Sequence, residues 1–556
     1  MECMRRSTGA VRSRDLMRLI VLTCLLIATG KPAIAQSDEH QHGSTSSHHE
    51  KLGTVSFANS GSHAAQAPFQ RGVALLHSFE YGDAAQAFKD AERADPSFAL
   101  PYWFEAFTHS HILWSEEDTA ASNQVLARLG PTPLTRLSKA STPRERAFGA
   151  AIEAFFAPAS SAVRTRAFAD SMAGVAARYP DDPEAAAFAA LSLLMAVNDR
   201  GFTPSEAKQA EDRAIGFAER VFRSNPTHPG AAHYLIHVTD MDPSFATRAL
   251  PAARAYAKIA PDAEHALHMP SHVFLPLGLW SDVATSNERA WRAWRSDAAK
   301  HHLTGADADF HTLLWLEYAY LQQGRWRAAR ALMDTGRAAV AGADLSSVNA
   351  VDARYGVSDL AFLYATETGR WNDAVLPPHA TGPPRTPREG FFSTRADYDR
   401  YVIAAMRGDT ATLSAGAADF RAKAARNARL DLLASQLETL GARARGDRQV
   451  AMERLGNAAA RGDSLPPVGP PSWLIAHELL GAMLSKEGNS RDAAAQYERA
   501  LVNMPNRSAA LLGLARARVA SGDRVGAHDA YRRLLENWRN ADRDLPALSE
   551  VRRGAK

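Results

Sequence analysis

Apolar and small residues recur along this chain with a helical period, and the pattern repeats in units of 34 residues. In residues 65–98 the unit is marked by Gly72, Leu75, Ala84, Phe88, Ala91 and Pro96. The spacing predicts two antiparallel helices per unit. Small residues let the helices approach closely, and the aromatic Phe88 fills the gap between them. Pro96 ends the second helix because it has no N–H for the ladder. The same register returns in residues 474–507 with Leu480, Gly481, Leu484, Ala493, Tyr497, Ala500 and Pro505, and continues directly into Leu514, Ala515, Gly522, Ala527 and Tyr531. Looser copies lie between, with a turn glycine and an aromatic two residues later at Gly278/Trp280, Gly324/Trp326 and Gly369/Trp371, and with helix ends near Pro180, Pro226 and Pro261.

These residues and their spacing resemble the tetratricopeptide-repeat family over most of the chain, most closely at its two ends. The resemblance implies an all-α fold, a right-handed superhelical solenoid of tetratricopeptide helical hairpins, whose first helices line a concave ligand-binding groove. Each hairpin has an apolar face that only its neighbour can cover, so stability accumulates along the stack. Two proline-rich stretches, LPPHATGPPRTP from residue 376 and SLPPVGPPS from residue 464, interrupt the period and read as extended connectors. Residues 52–58 alternate weakly and read as a short strand or extended cap, and the charged residues 541–556 as a frayed tail.

Composition changes the picture mainly through the first 35 residues. With 46% hydrophobic and 22% charged residues the chain is ordinary globular material. The formal charge of +3 comes from a leader carrying Arg5, Arg6, Arg12, Arg14, Arg18 and Lys31 against Glu2 and Asp15; without it 58 basic and 59 acidic residues remain. A nucleic-acid partner therefore has no support from basicity. The basic stretch, the apolar run Leu19–Ala28 and the small residues Ala33-Ile34-Ala35 read as a secretory signal peptide cleaved before Gln36. That places the mature protein in the periplasm or outside the cell. The apolar run is too short to span a bilayer, so no stable membrane insertion is expected after cleavage. Both cysteines, Cys3 and Cys24, lie in the leader, which leaves the rest without thiol chemistry. The expected organisation is a signal peptide (1–35), a His-rich tail and cap (36–62), an N-terminal solenoid (63–375), a Pro-rich linker (376–388), helical hairpins (389–463), a second linker (464–472), C-terminal repeats (473–540) and a tail (541–556).

Histidine is the candidate chemistry. Nine of the twenty histidines fall between His228 and His311, where even scatter would place about three. His233 and His237 stand one helical turn apart in AAHYLIH, and His265, His268 and His272 follow at spacings of three and four in EHALHMPSHVF. Set against the turn at Gly278, the last three fall at places that, by the family resemblance, point into the groove. Neighbouring first helices pack about 8–10 Å apart, so their imidazoles can share an ion. Two or three neutral imidazoles with an open position suit zinc, copper or iron, with Asp240, Asp242 and Glu264 as nearby carboxylates. HYLIH followed by HALHMPSH is also similar to a group of exported repeat proteins of unassigned activity. Tyr234 stands where a zinc protease needs its glutamate, and Pro270 is expected to kink the second segment and splay its rings.

A second candidate groove is YWFEAFTHSHILWSEED, with His109, His111 and Trp114 facing a ligand beside an acidic run. Its aromatics at helical spacing also fit a plain core. His301, His302 and His311 read as exposed, in a loop and the start of a helix. No phosphate loop, dinucleotide fingerprint or serine-hydrolase elbow is present, and no complete catalytic constellation. Two functions follow: a solenoid that binds a peptide or protein partner in its groove, or a metal-binding protein or metal-dependent enzyme centred on His233, His237, His265, His268 and His272.

Overall fold

The computed structural model describes residues 50–556 apart from 112, 114–115, 242, 347–349, 378–383, 425–426 and 464–468. The proposed signal peptide, the His-rich tail up to residue 49, Trp114 and Asp242 lie outside the described residues. The fold is the all-α stack of helical hairpins that the period predicted, from His63–His77 and Tyr81–Ala94 at one end to Ser508–Ser521 and Arg524–Asn537 at the other. Among the described residues the sole sheet is a two-residue antiparallel pair, Ser110–His111 with Glu116–Glu117.

Hairpin packing follows the small-against-aromatic rule. A Cβ on Gly72 would come within 2.6 Å of the Phe88 ring, and one on Gly513 within 2.3 Å of Tyr497, so both positions exclude any side chain. Helix starts are specified locally. Thr142 and Thr203 form capping boxes with Glu145 and Glu206, each followed by proline in the first turn. The turn glycines Gly278 and Gly324 take φ values of +65° and +67°, where a side chain is strained.

Two stretches differ from the sequence expectation. A helix begins at Pro387, inside the expected linker, because Thr386 caps it and proline is compatible with a first helical turn. Residues 541–556 are not a frayed tail: Leu548–Gly554 is helical, Leu548 and Val551 are buried, and the Tyr531 hydroxyl donates to Glu550 Oε1 at 2.7 Å. Here two apolar side chains on one helical face outweigh the charged composition.

The stack also folds back on itself. Near its start, Thr54 N–H donates to Thr227 O at 2.9 Å, Lys51 N–H to Asp262 at 2.7 Å and Ser56 N–H to Glu184 at 3.1 Å, while Phe57 inserts between Phe69, Phe104 and Phe148. Near its end, Trp280 donates to Asn506 O at 2.9 Å, Ser508 N–H to Gln322 at 2.8 Å, and Arg507 reaches the Tyr318 hydroxyl at 2.8 Å. Both ends thus pack against the middle of the chain, where the histidines sit. Among the described residues no helix is long and apolar enough to cross a membrane.

Candidate metal centre

The central histidines are carried by the first helices of three successive hairpins: Pro229–Met241, the broken pair Glu264–His268 and Ser271–Phe274, and Phe310–Gln322. His268 and His272 lie 35 positions after His233 and His237, so successive repeats present histidine at the same places. Pro270 interrupts the second helix between His268 and His272, as its chemistry predicts. His265 turns toward His233 and His237, although it shares the helix Glu264–His268 with His268. His268 and His272 turn toward His311, the next first helix. The five histidines expected in one cluster are therefore divided into two triads, completed by a sixth.

In the inner triad, ring nitrogens of His233, His237 and His265 all lie within 4.8 Å of one another. His233 Nε2 and His265 Nε2 are 3.1 Å apart. His233 Nδ1 donates to the His77 carbonyl at 2.7 Å, and His237 Nδ1 donates to Asp240 Oδ2 at 2.9 Å, leaving His237 Nε2 buried without a hydrogen-bond partner. In the outer triad, His268 Nε2 and His272 Nε2 are 2.9 Å apart, and His311 Nε2 is 3.4 Å from His272 Nε2. His272 Nδ1 donates to Asp240 Oδ1 at 2.6 Å. His268 Nδ1 donates to Asn287 Oδ1 at 2.6 Å, and the Asn287 amide is oriented by its own donation to Val283 O at 2.8 Å.

These partners settle the tautomers. A neutral imidazole has one N–H, and an Nδ1 bound to an oxygen that only accepts must hold it. As neutral rings, His268 and His272 therefore turn two Nε2 lone pairs toward each other at 2.9 Å, a contact that neither can convert into a hydrogen bond. Burial, reinforced by the neighbouring rings, holds His233, His265 and His268 well below the usual histidine range. Three nitrogens about 2 Å from one ion at tetrahedral angles stand about 3.3 Å apart, close to the separations of His233 from His265, His268 from His272 and His272 from His311. Desolvation opposes charge on Asp240, but His272 and His237 outweigh it and hold the carboxyl below its usual range. Further carboxylates gather beside the inner triad. Burial, with Asp309, Glu80 and Asp297 nearby, pushes Glu264 up to about 9, and Glu80 Oε1 accepts from the His265 N–H at 3.2 Å.

The walls are aromatic. Phe79 lies 4.4 Å from the His233 ring and 5.5 Å from that of His237, and Trp315 stacks on His272 at 4.2 Å. Phe79 holds a left-handed φ of 59°, which turns the chain between the first two helices over the inner triad. His111, from the second candidate groove, stacks instead on Tyr81 at 4.4 Å, and Tyr81 stacks on Phe79. His109 ends the helix Leu100–Thr108, and neither it nor His111 joins a triad.

A third group, His77, Glu184 and His228, is fully buried and differs in kind. Tyr234 donates to His77 Nδ1 at 2.8 Å, His77 Nε2 donates to Glu184 Oε2 at 2.8 Å, and Ala231 N–H donates to His228 Nδ1 at 3.1 Å, which turns the His228 Nε2–H toward Glu184 Oε1 3.3 Å away. Donors here face acceptors, though His228 Nε2 makes no hydrogen bond to Glu184 at this distance, and the network holds the His77 carbonyl against His233. Sequence reading missed Phe79, Asn287 and the membership of His311. His311 carried a usable signal, since it lies in the third successive first helix of the same His-rich region. Phe79 and Asn287 carried none.

No family profile matches the chain, and no curated protein sequence matches it. Among solved structures it is similar to yeast Tom70, at 10% identity over 88% of this chain and 95% of that one with a TM-score of 0.34. It is also similar to the TPR domain of P58(IPK), at 12% identity over 88% and 98% with a TM-score of 0.20. A circular tandem repeat protein aligns at 13% identity over 88% and 98% with a TM-score of 0.12. Superpositions this loose carry no argument about the site, and the all-α hairpin architecture rests on the packing of this chain itself.

Proposed function

We propose that the protein binds transition-metal ions in its two histidine triads, with the solenoid as the rigid frame that holds the rings. The observation that carries this reading is the pair of lone pairs on His268 and His272, 2.9 Å apart with both Nδ1–H groups committed elsewhere. A cation between them turns a repulsive contact into two bonds. All-imidazole donor sets suit zinc, copper and iron. Three protein ligands leave a coordination position for water or a small ligand, the arrangement metal-dependent enzymes use.

Element analysis of untagged protein, after incubation with zinc, copper and iron and removal of free metal, tests the reading. One to two ions per chain are expected. His237→Ala combined with His272→Ala removes them while helicity by circular dichroism stays nearly unchanged. Less than about one-tenth of an ion per chain overturns the reading, since three-histidine sites bind far more tightly than that.

A second reading keeps the scaffold role. A small cleft opens between the later repeats, lined by Leu432, Gln436, Trp473, Ile475, His477 and Met504. An apolar cleft with a few polar groups suits a peptide segment of a protein partner. Cross-linking of the full chain with a photoreactive group at Trp473 tests it, and labelling no stronger than at an exposed control site removes it. In either reading we propose export, which N-terminal sequencing of the mature protein checks by starting at Gln36.

A further inference from the structure

We infer that Asp240 joins the two triads into a single two-ion centre in which each ion senses the other. The inference rests on the metal reading above and goes beyond it, because two triads could equally bind independently. Asp240 lies one turn after His237 on the same helix. Its Oδ2 accepts from His237 Nδ1 at 2.9 Å and its Oδ1 from His272 Nδ1 at 2.6 Å. One carboxylate therefore fixes the tautomer of one ligand in each triad, and the two rings it holds have centroids 6.5 Å apart.

Two consequences follow. An ion on His237 Nε2 makes the ring a stronger donor through Nδ1 and draws charge from Asp240, which leaves the carboxylate a poorer acceptor for His272. The same holds in reverse, as reciprocity of coupling requires. Moreover, two positive ions on rings this close repel through an interior with a single shared carboxylate between them. The second ion therefore binds more weakly than its own triad would allow alone. The coupling uses a side chain that touches neither ion, which makes Asp240 a positioning residue.

Replacement of Asp240 has an asymmetric effect. An asparagine has one acceptor oxygen and one NH2 group. It can satisfy one Nδ1–H, but its NH2 faces the other ring and forces that ring to carry its proton on Nε2, where it cannot bind metal.

The test uses the full chain and copper(II) alone. Electron paramagnetic resonance spectra are recorded for the fully loaded wild type and for the single-triad variants His272→Ala and His237→Ala, and copper affinities are measured by chelator competition for these and for Asp240→Asn and Asp240→Glu. The loaded wild type is expected to show dipolar broadening and a half-field signal absent from the sum of the two single-triad spectra. Its second copper is expected to bind about 5–150-fold more weakly than the corresponding single-triad variant. Asp240→Asn should keep one tight copper and lose about 10–100-fold at the other, with Asp240→Glu restoring part of the loss. A wild-type spectrum equal to the sum of its parts, with two unweakened binding steps, overturns the coupling and leaves the metal reading standing. Absence of copper binding by the wild type overturns both. Should Asp240→Asn fail to fold, the wild-type and single-triad comparison decides the matter alone.

Discussion

Phe79 offers the sharpest test of how the scaffold shapes the inner triad. Its side chain is 6% exposed and its ring lies 4.4, 5.5 and 5.7 Å from those of His233, His237 and His265. Removing it in Phe79→Ala takes away packing and leaves a cavity against the rings, a cost of about 3–5 kcal/mol. The backbone φ of 59° adds a strain of about 1–2 kcal/mol that Phe and Ala share and Gly escapes. Glycine loses about 0.5–1 kcal/mol of that gain to chain entropy, so Phe79→Gly should be more stable than Phe79→Ala by up to about 1.5 kcal/mol. For roughly 500 residues melting as one unit the unfolding entropy is about 1 kcal/mol per degree, so the alanine variant should melt about 3–5 °C lower. Thermal unfolding by circular dichroism measures both differences in metal-free protein. Copper release to a chelator should be faster in both variants, because the aromatic wall of the inner triad is gone. A glycine variant less stable than the alanine one would refute the backbone argument. Unchanged melting and unchanged release in Phe79→Ala would refute the claim that this ring encloses the site.

Other predictions concern the buried polar groups. Burial opposes ionisation of Glu184, but His228 and His77 outweigh it and depress its carboxyl pKa on folding. Its contribution is therefore present above the unfolded value of about 4.5 and lost as pH falls below it. Glu184→Gln should cost about 1.5–3 kcal/mol at pH 7, and urea unfolding should show the gap to wild type narrowing below about pH 4.5; a gap independent of pH would count against this network. Arg507, 4% exposed, pairs with Glu367 at 2.6 Å and Glu478 at 2.7 Å and ties the last repeats to the middle of the stack. Arg507→Met should cost about 3–5 kcal/mol and raise hydrogen exchange in Ser508–Ser521, whereas unchanged exchange would show that the fold-back does not depend on it.

Much of the architecture was legible because its causes are local. Gly72 against Phe88 and Gly513 against Tyr497 are contacts within a hairpin or between neighbours, so the spacing of small and aromatic residues announces them. The tail was misread for the opposite reason: its charges are conspicuous in sequence, while the burial of Leu548 and Val551 depends on the helix before it. The same division runs through the site. His233, His237, His265, His268 and His272 were visible as a concentration on first helices. His111 attracted notice on equal grounds of composition and lies elsewhere, stacked on Tyr81.

The sequence alone determined that this is an all-helical repeat chain and that histidine occupies matching places in successive first helices, since helical period and repeat register are encoded within a few dozen neighbouring residues. Only the tertiary structure decided which rings meet. His265 and His268 share one short helix yet face different neighbours, His265 toward His233 and His268 across the break at Pro270 toward His272. The fold-back brings His77 and Phe79, more than 150 positions earlier, against His233. The physical reason is that each hairpin adds a small rotation to the stack, and contacts between distant repeats depend on the sum of those rotations, which no local pattern displays.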